Sequence, residues 1–239
     1  MRVGLLSDIH GNLEALTQVL DACDRHQLDK ILCLGDVVGY GADPARCLAL
    51  IVERATVVCG GNHDWAVAAR IDTEHFNGMA SDAVSFSQEQ LSEADLQTLR
   101  DLPPTERDGD VLFVHGSPHE PEAFHYLFSA SDAAYALTKT DARLVFVRHS
   151  HRAFVYSEDD GEVMTGEGRT DVAEGRFLVN VGSVGQPRDG DPRAAFCVWD
   201  SDQGTVELIR IGYDVTVAQS KIRDQGLHEF LAQRLSSGR

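Results

Sequence analysis

Residues 2–10 read Arg-Val-Gly-Leu-Leu-Ser-Asp-Ile-His, a short apolar run that stops on an acid and then an imidazole. A run of that length suits a buried strand. Four further runs end in the same way. Lys30 to Leu34 (KILCL) leads into Gly35-Asp36, and Ala55 to Cys59 (ATVVC) leads into Gly60-Gly61-Asn62-His63-Asp64. Val111 to Val114 ends on His115, and Leu144 to Val147 ends on Arg148-His149-Ser150-His151. Helical patterns separate the first three runs. From Asn12 to His26, the residues Leu13, Leu16, Val19, Leu20 and Cys23 recur at helical spacing. Asp43-Pro44 then opens a second helix, with the acid as N-cap and proline at the first helical position. Strand, helix, strand, helix, strand predicts crossover units and a largely parallel sheet.

Residues 65–104 break that rhythm and read as a helical insertion, with helices over Ala66 to Arg70, Ser81 to Leu91 and Ser92 to Leu102. Ser92-Glu93-Ala94-Asp95 has the form of an N-terminal cap. Such an insertion serves either as a lid over the strand ends or as packing on the sheet's flank. Its apolar residues suit a core or a contact between subunits equally well, which leaves a homo-oligomer open. A helix is expected around Ala133 to Thr138. The later runs, Ala153 to Tyr156, Arg176 to Val181, Ala194 to Trp199 and Thr205 to Ile211, read as antiparallel strands. A final helix is expected from Val215 to Leu235. Two packed sheets flanked by helices account for this α/β pattern, in a single domain spanning 1–239.

Composition narrows the partners. The 239 residues are 43% hydrophobic and 25% charged, ordinary values for a folded chain. Lys and Arg number 21 against 38 Asp and Glu, a net charge of −17. That balance disfavours a nucleic-acid polymer or an anionic membrane, which need clustered cations. It leaves room for a small phosphorylated substrate, because bound cations dominate the field locally. The five cysteines are scattered, with no C-x-x-C spacing, which argues against a disulfide framework and a thiolate site. No signal-peptide core and no run of bilayer length is visible, so a cytoplasmic location is expected.

The residues at the strand ends carry the chemistry. A single Asp after a strand is usually a turn residue or a helix cap, and a single His is usually ordinary surface or core. Five strands delivering such residues to one edge is another matter, because ligands of open sheets bind outside the carboxyl ends of the strands. Asp8 and His10, like His149 and His151, are two apart, so in extended chain each pair shares a face. Imidazoles, carboxylates and an amide together suit manganese, iron, zinc, nickel or cobalt rather than calcium or magnesium. The candidates are too many for one ion and sufficient for two.

In order, SDIHGN, GDVVGYG, GGNHD, VHGSP and RHSH resemble the motifs of the calcineurin-like metallophosphoesterases. The likeness is nearest to the small prokaryotic phosphodiesterase-like members, where NVGSVGQPRD (180–189) is also familiar. It extends over about residues 1–199. It implies a four-layer αββα sandwich of two mixed sheets and two divalent ions, manganese foremost. Asp8, His10, Asp36 and His151 would hold one ion. Asp36, Asn62, His115 and His149 would hold the other, with Asp36 bridging. The resemblance makes His63 a general acid for the leaving oxygen and Asp64 the residue that orients it. The family's last motif is usually G-H-x-H, and Arg148 stands where that glycine would be. Arg148 therefore either turns away from the cleft or reaches in to hold phosphate. Asn12 and Arg188 are further candidates for substrate contact, with an N-cap role for Asn12 and a surface ion pair for Arg188 as the plainer readings. Tyr40, His119 and His125 are weaker ones.

The expected activity is hydrolysis of a small phosphodiester or phosphomonoester of nucleotide type. A dinucleoside polyphosphate hydrolase is the alternative. A protein phosphatase would call for GDxxDRG and GNHE, which the chain lacks. A binding module without activity on the same fold would be expected to have lost ligands, and none is missing here.

Overall fold

Alternation along the first strand sets the layers. In the computed structural model, which describes all 239 residues, β1 (Arg2–Leu6) pairs in parallel with β2 (Lys30–Cys33), and β2 with β3 (Val57–Val58). Val3 and Leu5 share a core with Phe113, Phe146, Val179 and Trp199, whereas Leu6 joins Leu16, Val19, Cys47 and Ile51 on the opposite side. The period of two thus sends one face of β1 to a second sheet and the other to α1 (Leu13–Arg25) and α2 (Pro44–Arg54).

The chain continues with α3 (Asn62–Val67), α4 (Gly78–Gln90), α5 (Glu93–Asp101), β4 (Thr105–Asp108), β5 (Val111–Val114), α6 (Ala130–Leu137), β6 (Leu144–Val147) and β7 (Phe154–Ser157). Then come β8 (Val163–Thr165), β9 (Gly168–Asp171), β10 (Phe177–Asn180), β11 (Ala194–Asp200), β12 (Thr205–Ile211), α7 (Val215–Asp224) and α8 (Glu229–Gln233). One sheet has the order β3-β2-β1-β11-β12-β9, the other β4-β5-β6-β10-β7-β8. Both mix parallel and antiparallel pairs. The apolar cluster shared by the two sheets lies between them. Helices α1 and α2 cover the first sheet, and α6 packs on the second through Ala133, Ala136 and Leu137. The result is the expected four layers.

Several details differ from the sequence reading. Strand β10 is antiparallel to β7 but parallel to β6, so the late strands are not uniformly antiparallel. Strands β4, β8 and β9 escaped notice because their residues are mostly exposed and carry no alternating apolar face. Helix α3 begins at Asn62 rather than Ala66, since Asp64 caps it from inside the motif by accepting from Gly61 N. The last helix is interrupted at Gly226, where φ is +70°, and resumes as α8. All five cysteines are free and buried, and no helix is long and apolar enough to cross a membrane.

The insertion packs on the sheet's flank and also reaches the strand ends. Val84, Leu91 and Leu99 are buried in the core on the helix side of the first sheet. The segment from Ile71 to Ala80 lines one wall of a cleft at the strand ends.

Past β10, residues 181–188 fold across the first sheet. Val184 N donates to Ser7 O and Gly185 N to Asp8 O, both at 2.9 Å. A Cβ on Gly185 would sit 1.7 Å from Ile9 O. Gly185→Ala is therefore expected to destabilise the fold by about 1–3 kcal/mol, the usual cost of overpacking, measured as a lower urea midpoint. An unchanged midpoint would mean that this crossing is not tightly packed.

Candidate metal centre

The five predicted strand ends converge. Asp8 and His10 follow β1, Asp36 follows β2, Asn62 and His63 follow β3, His115 follows β5, and His149 and His151 follow β6. The first three strands belong to one sheet and the last two to the other, so the site straddles the seam between them. All of these residues except Asn62, which is partly open, are buried. Five of the seven expected ligands, Asp8, His10, Asp36, His149 and His151, have left-handed φ between +48° and +73°. Side chains other than glycine seldom adopt that conformation, and its recurrence at five of the seven candidate ligands is the kind of strain that clusters at functional sites.

Two groups of donor atoms share one oxygen. In the first, His10 Nε2 lies 3.2 Å from His151 Nε2, 4.0 Å from Asp8 Oδ1 and 3.8 Å from Asp36 Oδ2. His151 Nε2 is also 3.5 Å from Asp8 Oδ1. In the second, His115 Nε2 lies 3.2 Å from Asp36 Oδ2, 3.2 Å from Asn62 Oδ1 and 3.0 Å from His149 Nδ1. Each carboxylate divides its oxygens. Asp8 Oδ2 accepts from Ser7 Oγ and Asp36 Oδ1 from His63 N, while Asp8 Oδ1 and Asp36 Oδ2 have no hydrogen-bond partner.

These orphaned oxygens fit metal ions. Buried polar atoms are almost always partnered, so two unpartnered carboxylate oxygens facing imidazole nitrogens need an explanation. Ligands about 2.1 Å from one ion and at right angles stand about 3 Å apart, which is the spacing of the facing nitrogens here. Two of the rings, His10 and His151, have their nitrogens prepared for it, whereas His115 Nδ1 accepts from Arg148 Nε. His10 Nδ1 faces Val38 O at 3.2 Å and His151 Nδ1 faces Gln186 O at 2.6 Å. A carbonyl can only accept, so each Nδ1 carries the proton and each Nε2 presents a lone pair to the centre.

The electrostatics point the same way. Burial first, then the charge of Asp36, raises Asp8 to about 7. Asp64 is raised to about 7 by the same two causes. Burial alone would raise Asp36 too, but the His115 ring, aided by His63 and His10, holds it well below the ordinary carboxylate range. Burial pushes His10, His149 and His151 well below their ordinary value, which leaves them neutral and able to ligate.

Arg148 turns inward. It is fully buried, its Nε contacts His115 Nδ1, and its Nη2 lies where a Cβ on Gly35 would intrude. The guanidinium thus sits behind the ligands as a fixed positive charge for Asp8 and Asp36, and the expected phosphate contact has no open path. Asn12 also turns from that role. Its Oδ1 caps α1 by accepting from Ala15 N, and its Nδ2 donates to Gly185 O at 2.8 Å. Asp64 does not orient the His63 ring. Its oxygens accept from Val37 N, Val38 N and Gly61 N, so it fixes the backbone around Asp36, and His63 Nδ1 has no partner.

His63 itself borders a cleft of about 510 Å³ with Tyr40, Phe76, Phe124, Tyr126 and His149 among its walls. Burial pushes His63 down to about 4. Arg188, which donates to Gln186 Oε1, lies 5.7 Å from the Tyr40 ring. Tyr126, unsuspected in the sequence, stacks on His149 at 3.9 Å. Other residues missed were Ser183, Gln186 and Asn180. Ser183 Oγ donates to Asp8 O, and Asn180 Nδ2 donates to Ser150 Oγ. Their signal was present: Asn180 ends β10, a sixth strand reaching the same edge, and Ser183 and Gln186 follow it within NVGSVGQPRD.

Removing Arg148 strips the carboxylates of their buried counter-charge. Arg148→Met is expected to lower the melting temperature of metal-free protein, because Asp8 then lacks the buried positive charge that favours its ionised form. Metal-loaded protein should lose less, because the ions supply positive charge. Equal losses in paired thermal melts would show that Arg148 acts through packing alone.

A model of the calcineurin-like phosphoesterase superfamily domain matches residues 1–204. An uncharacterized protein of Methanocaldococcus jannaschii is 37% identical over 243 residues, covering 99% of this chain and 98% of the other. The crystal structure of a metallophosphoesterase from Sphaerobacter thermophilus superposes with a TM-score of 0.91 at 38% identity, covering 100% and 99% of the two chains. A hypothetical protein from Pyrococcus horikoshii shares the fold, with a TM-score of 0.81 at 22% identity over 100% and 98%.

Proposed function

Since the chain belongs to the calcineurin-like phosphoesterase superfamily, we propose that it is a dinuclear metal-dependent hydrolase of a small phosphodiester, with His63 as general acid. The observation that carries this reading is Asp36 Oδ2, which has no hydrogen-bond partner and faces both donor groups, 3.8 Å from His10 Nε2 and 3.2 Å from His115 Nε2. Asp8, His10, Asp36 and His151 would hold one ion, and Asp36, Asn62, His115 and His149 the other. The donor set suits manganese, with iron, zinc, nickel or cobalt as further candidates. Two such ions, when bound, activate a water and neutralise phosphoryl oxygens.

The chain's own groups supply the rest. The His63 ring stands edge-on to His10, centroids 4.9 Å apart, and packs on Tyr40 at 4.4 Å and Phe76 at 5.1 Å. It therefore sits between the ligands and the cleft, where a leaving oxygen would emerge. Kept neutral by burial, His63 would take a proton from solvent as the phosphate anion arrives beside it. It then gives that proton to the departing alkoxide. Arg188 supplies positive charge on the other side of Tyr40, near His10 and His151.

The cleft walls bear on the leaving group. Tyr40, Phe76, Phe124 and Tyr126 offer aromatic faces, and Asp72 and Glu122 stand at the rim without a lysine or arginine among the lining residues. That wall accepts a flat, uncharged group such as a nucleoside. It opposes a polyphosphate, which favours the diester over the dinucleoside polyphosphate.

Asp36→Asn should cause both ions to be lost together in metal analysis, since one oxygen serves both groups. Retention of a single tightly held ion would refute the bridging role. His63→Ala, assayed after stripping and restoring manganese, should keep its metal. It should lose about 10²–10⁴-fold in kcat on an alkyl or nucleoside ester, and far less on bis-p-nitrophenyl phosphate, whose leaving group departs without a proton. Wild-type protein should prefer that diester to p-nitrophenyl phosphate. Equal losses on both ester types would rule out His63 as the acid, and no metal-dependent turnover by wild type would remove the hydrolase reading.

A further inference from the structure

Outside the buried centre, the segment between β5 and α6 gathers a second set of metal-ligating side chains. Glu120 and Phe124 take left-handed φ of +49° and +53°, on either side of a short 3-10 turn at Pro121–Ala123. The chain folds back on itself there and brings His119 and His125 together. Their rings stack with centroids 5.6 Å apart and planes within 15°. Both present Nε2 to one carboxylate oxygen: Glu120 Oε2 is 3.1 Å from His125 Nε2 and 3.6 Å from His119 Nε2. All three donors lie within 4.8 Å of one another. Tyr135 of α6 packs edge-on against His119 at 5.7 Å and limits its ring.

We infer that His119, Glu120 and His125 form an outer metal site, separate from the buried centre, that takes a zinc ion. Two imidazoles and a carboxylate leave a fourth position for water, the donor count of an open zinc site. Imidazole nitrogen selects zinc over magnesium or calcium. An ordinary surface ion pair requires one cation and one anion. Here two parallel rings aim the same nitrogen at one oxygen, which is how convergent ligands stand around a shared point. The side chains are partly exposed, so the ion exchanges with solvent and binds more weakly than at the buried centre.

The position gives the site a consequence. Its loop carries Phe124, which packs on Trp65 and His115 at 5.2 and 5.4 Å, and Tyr126, which stacks on His149. An ion at the outer site ties together the turn that sets these two aromatic walls.

Two measurements on the full-length chain test the assignment. Metal-stripped wild type and the His119→Ala/His125→Ala variant are each titrated with zinc by calorimetry. The variant is expected to bind one ion fewer than wild type, with its tighter phase unchanged. Equal stoichiometry would overturn the site. That difference is independent of how many ions the buried centre holds, so failure of the dinuclear reading would register separately. The second measurement needs no substitution. With zinc at ten times the weaker dissociation constant, carbethoxylation of His119 and His125 in wild type, read by peptide mass spectrometry, should slow about tenfold. Exposed His228, remote in sequence, should react at its original rate. Unchanged rates at His119 and His125 would likewise overturn the proposal.

Discussion

The arrangement rests on a concentration of charge that the fold alone does not neutralise. Asp8, Asp36 and Asp64 are buried together with His10, His63, His115, His149 and His151, and Arg148 is the buried cation among them. Isolated carboxylates in such surroundings protonate or find partners. Asp64 has found three backbone amides, which is a structural solution. Asp8 and Asp36 have each committed one oxygen to the protein and left the other bare. The difference separates a carboxylate fully bonded to the backbone from two that each keep one oxygen unpartnered, as the proposed ligands would.

The ligand loops brace one another. Asp8 N donates to Gly35 O, His10 N to Asp36 O and Gly11 N to Val37 O, so the loop after β1 runs along the loop after β2. Beyond β10, Val184 and Gly185 bond to Ser7 and Asp8, and Arg188 N donates to His151 O. One segment thereby ties candidate ligands of the first sheet to a candidate ligand of the second. Glycine is required where side chains crowd this lattice. A Cβ on Gly61 would stand 2.1 Å from Asp36 Oδ1.

Much of this was legible in the sequence because the signals were periodic or local. Apolar runs of strand length located β1, β2, β5 and β6, and a polar ligand at the end of each pointed to the shared edge. What stayed hidden depends on direction rather than position. Nothing in RHSH tells whether Arg148 faces the cleft or the interior; the space behind Gly35, where its guanidinium lies, decides that. Likewise GNHD places Asp64 next to His63 in sequence, yet on α3 the first-turn acid turns back to cap the helix and its ring neighbour points elsewhere. Strands β8 and β9 were invisible for a simpler reason, being exposed and without an apolar face. The outer His119–Glu120–His125 cluster depends on two left-handed residues, Glu120 and Phe124, whose conformations the sequence does not announce.

Strain at the ligands links stability to function. Five candidate ligands in left-handed backbone, at roughly 1 kcal/mol each, hold on the order of 5 kcal/mol of unfavourable conformation. That is comparable with the whole net stability of a typical domain, about 5–15 kcal/mol. The loops persist because hydrogen bonds between them and two packed sheets beneath over-determine their course. The cost is met at folding rather than at binding. Donor atoms so held would lose little freedom on binding an ion, so affinity would not be spent on ordering the site. A looser set of the same seven residues would fold more easily and bind more weakly. The left-handed φ values and the bare oxygens of Asp8 and Asp36 therefore both fit the proposed centre: donors fixed by the fold itself.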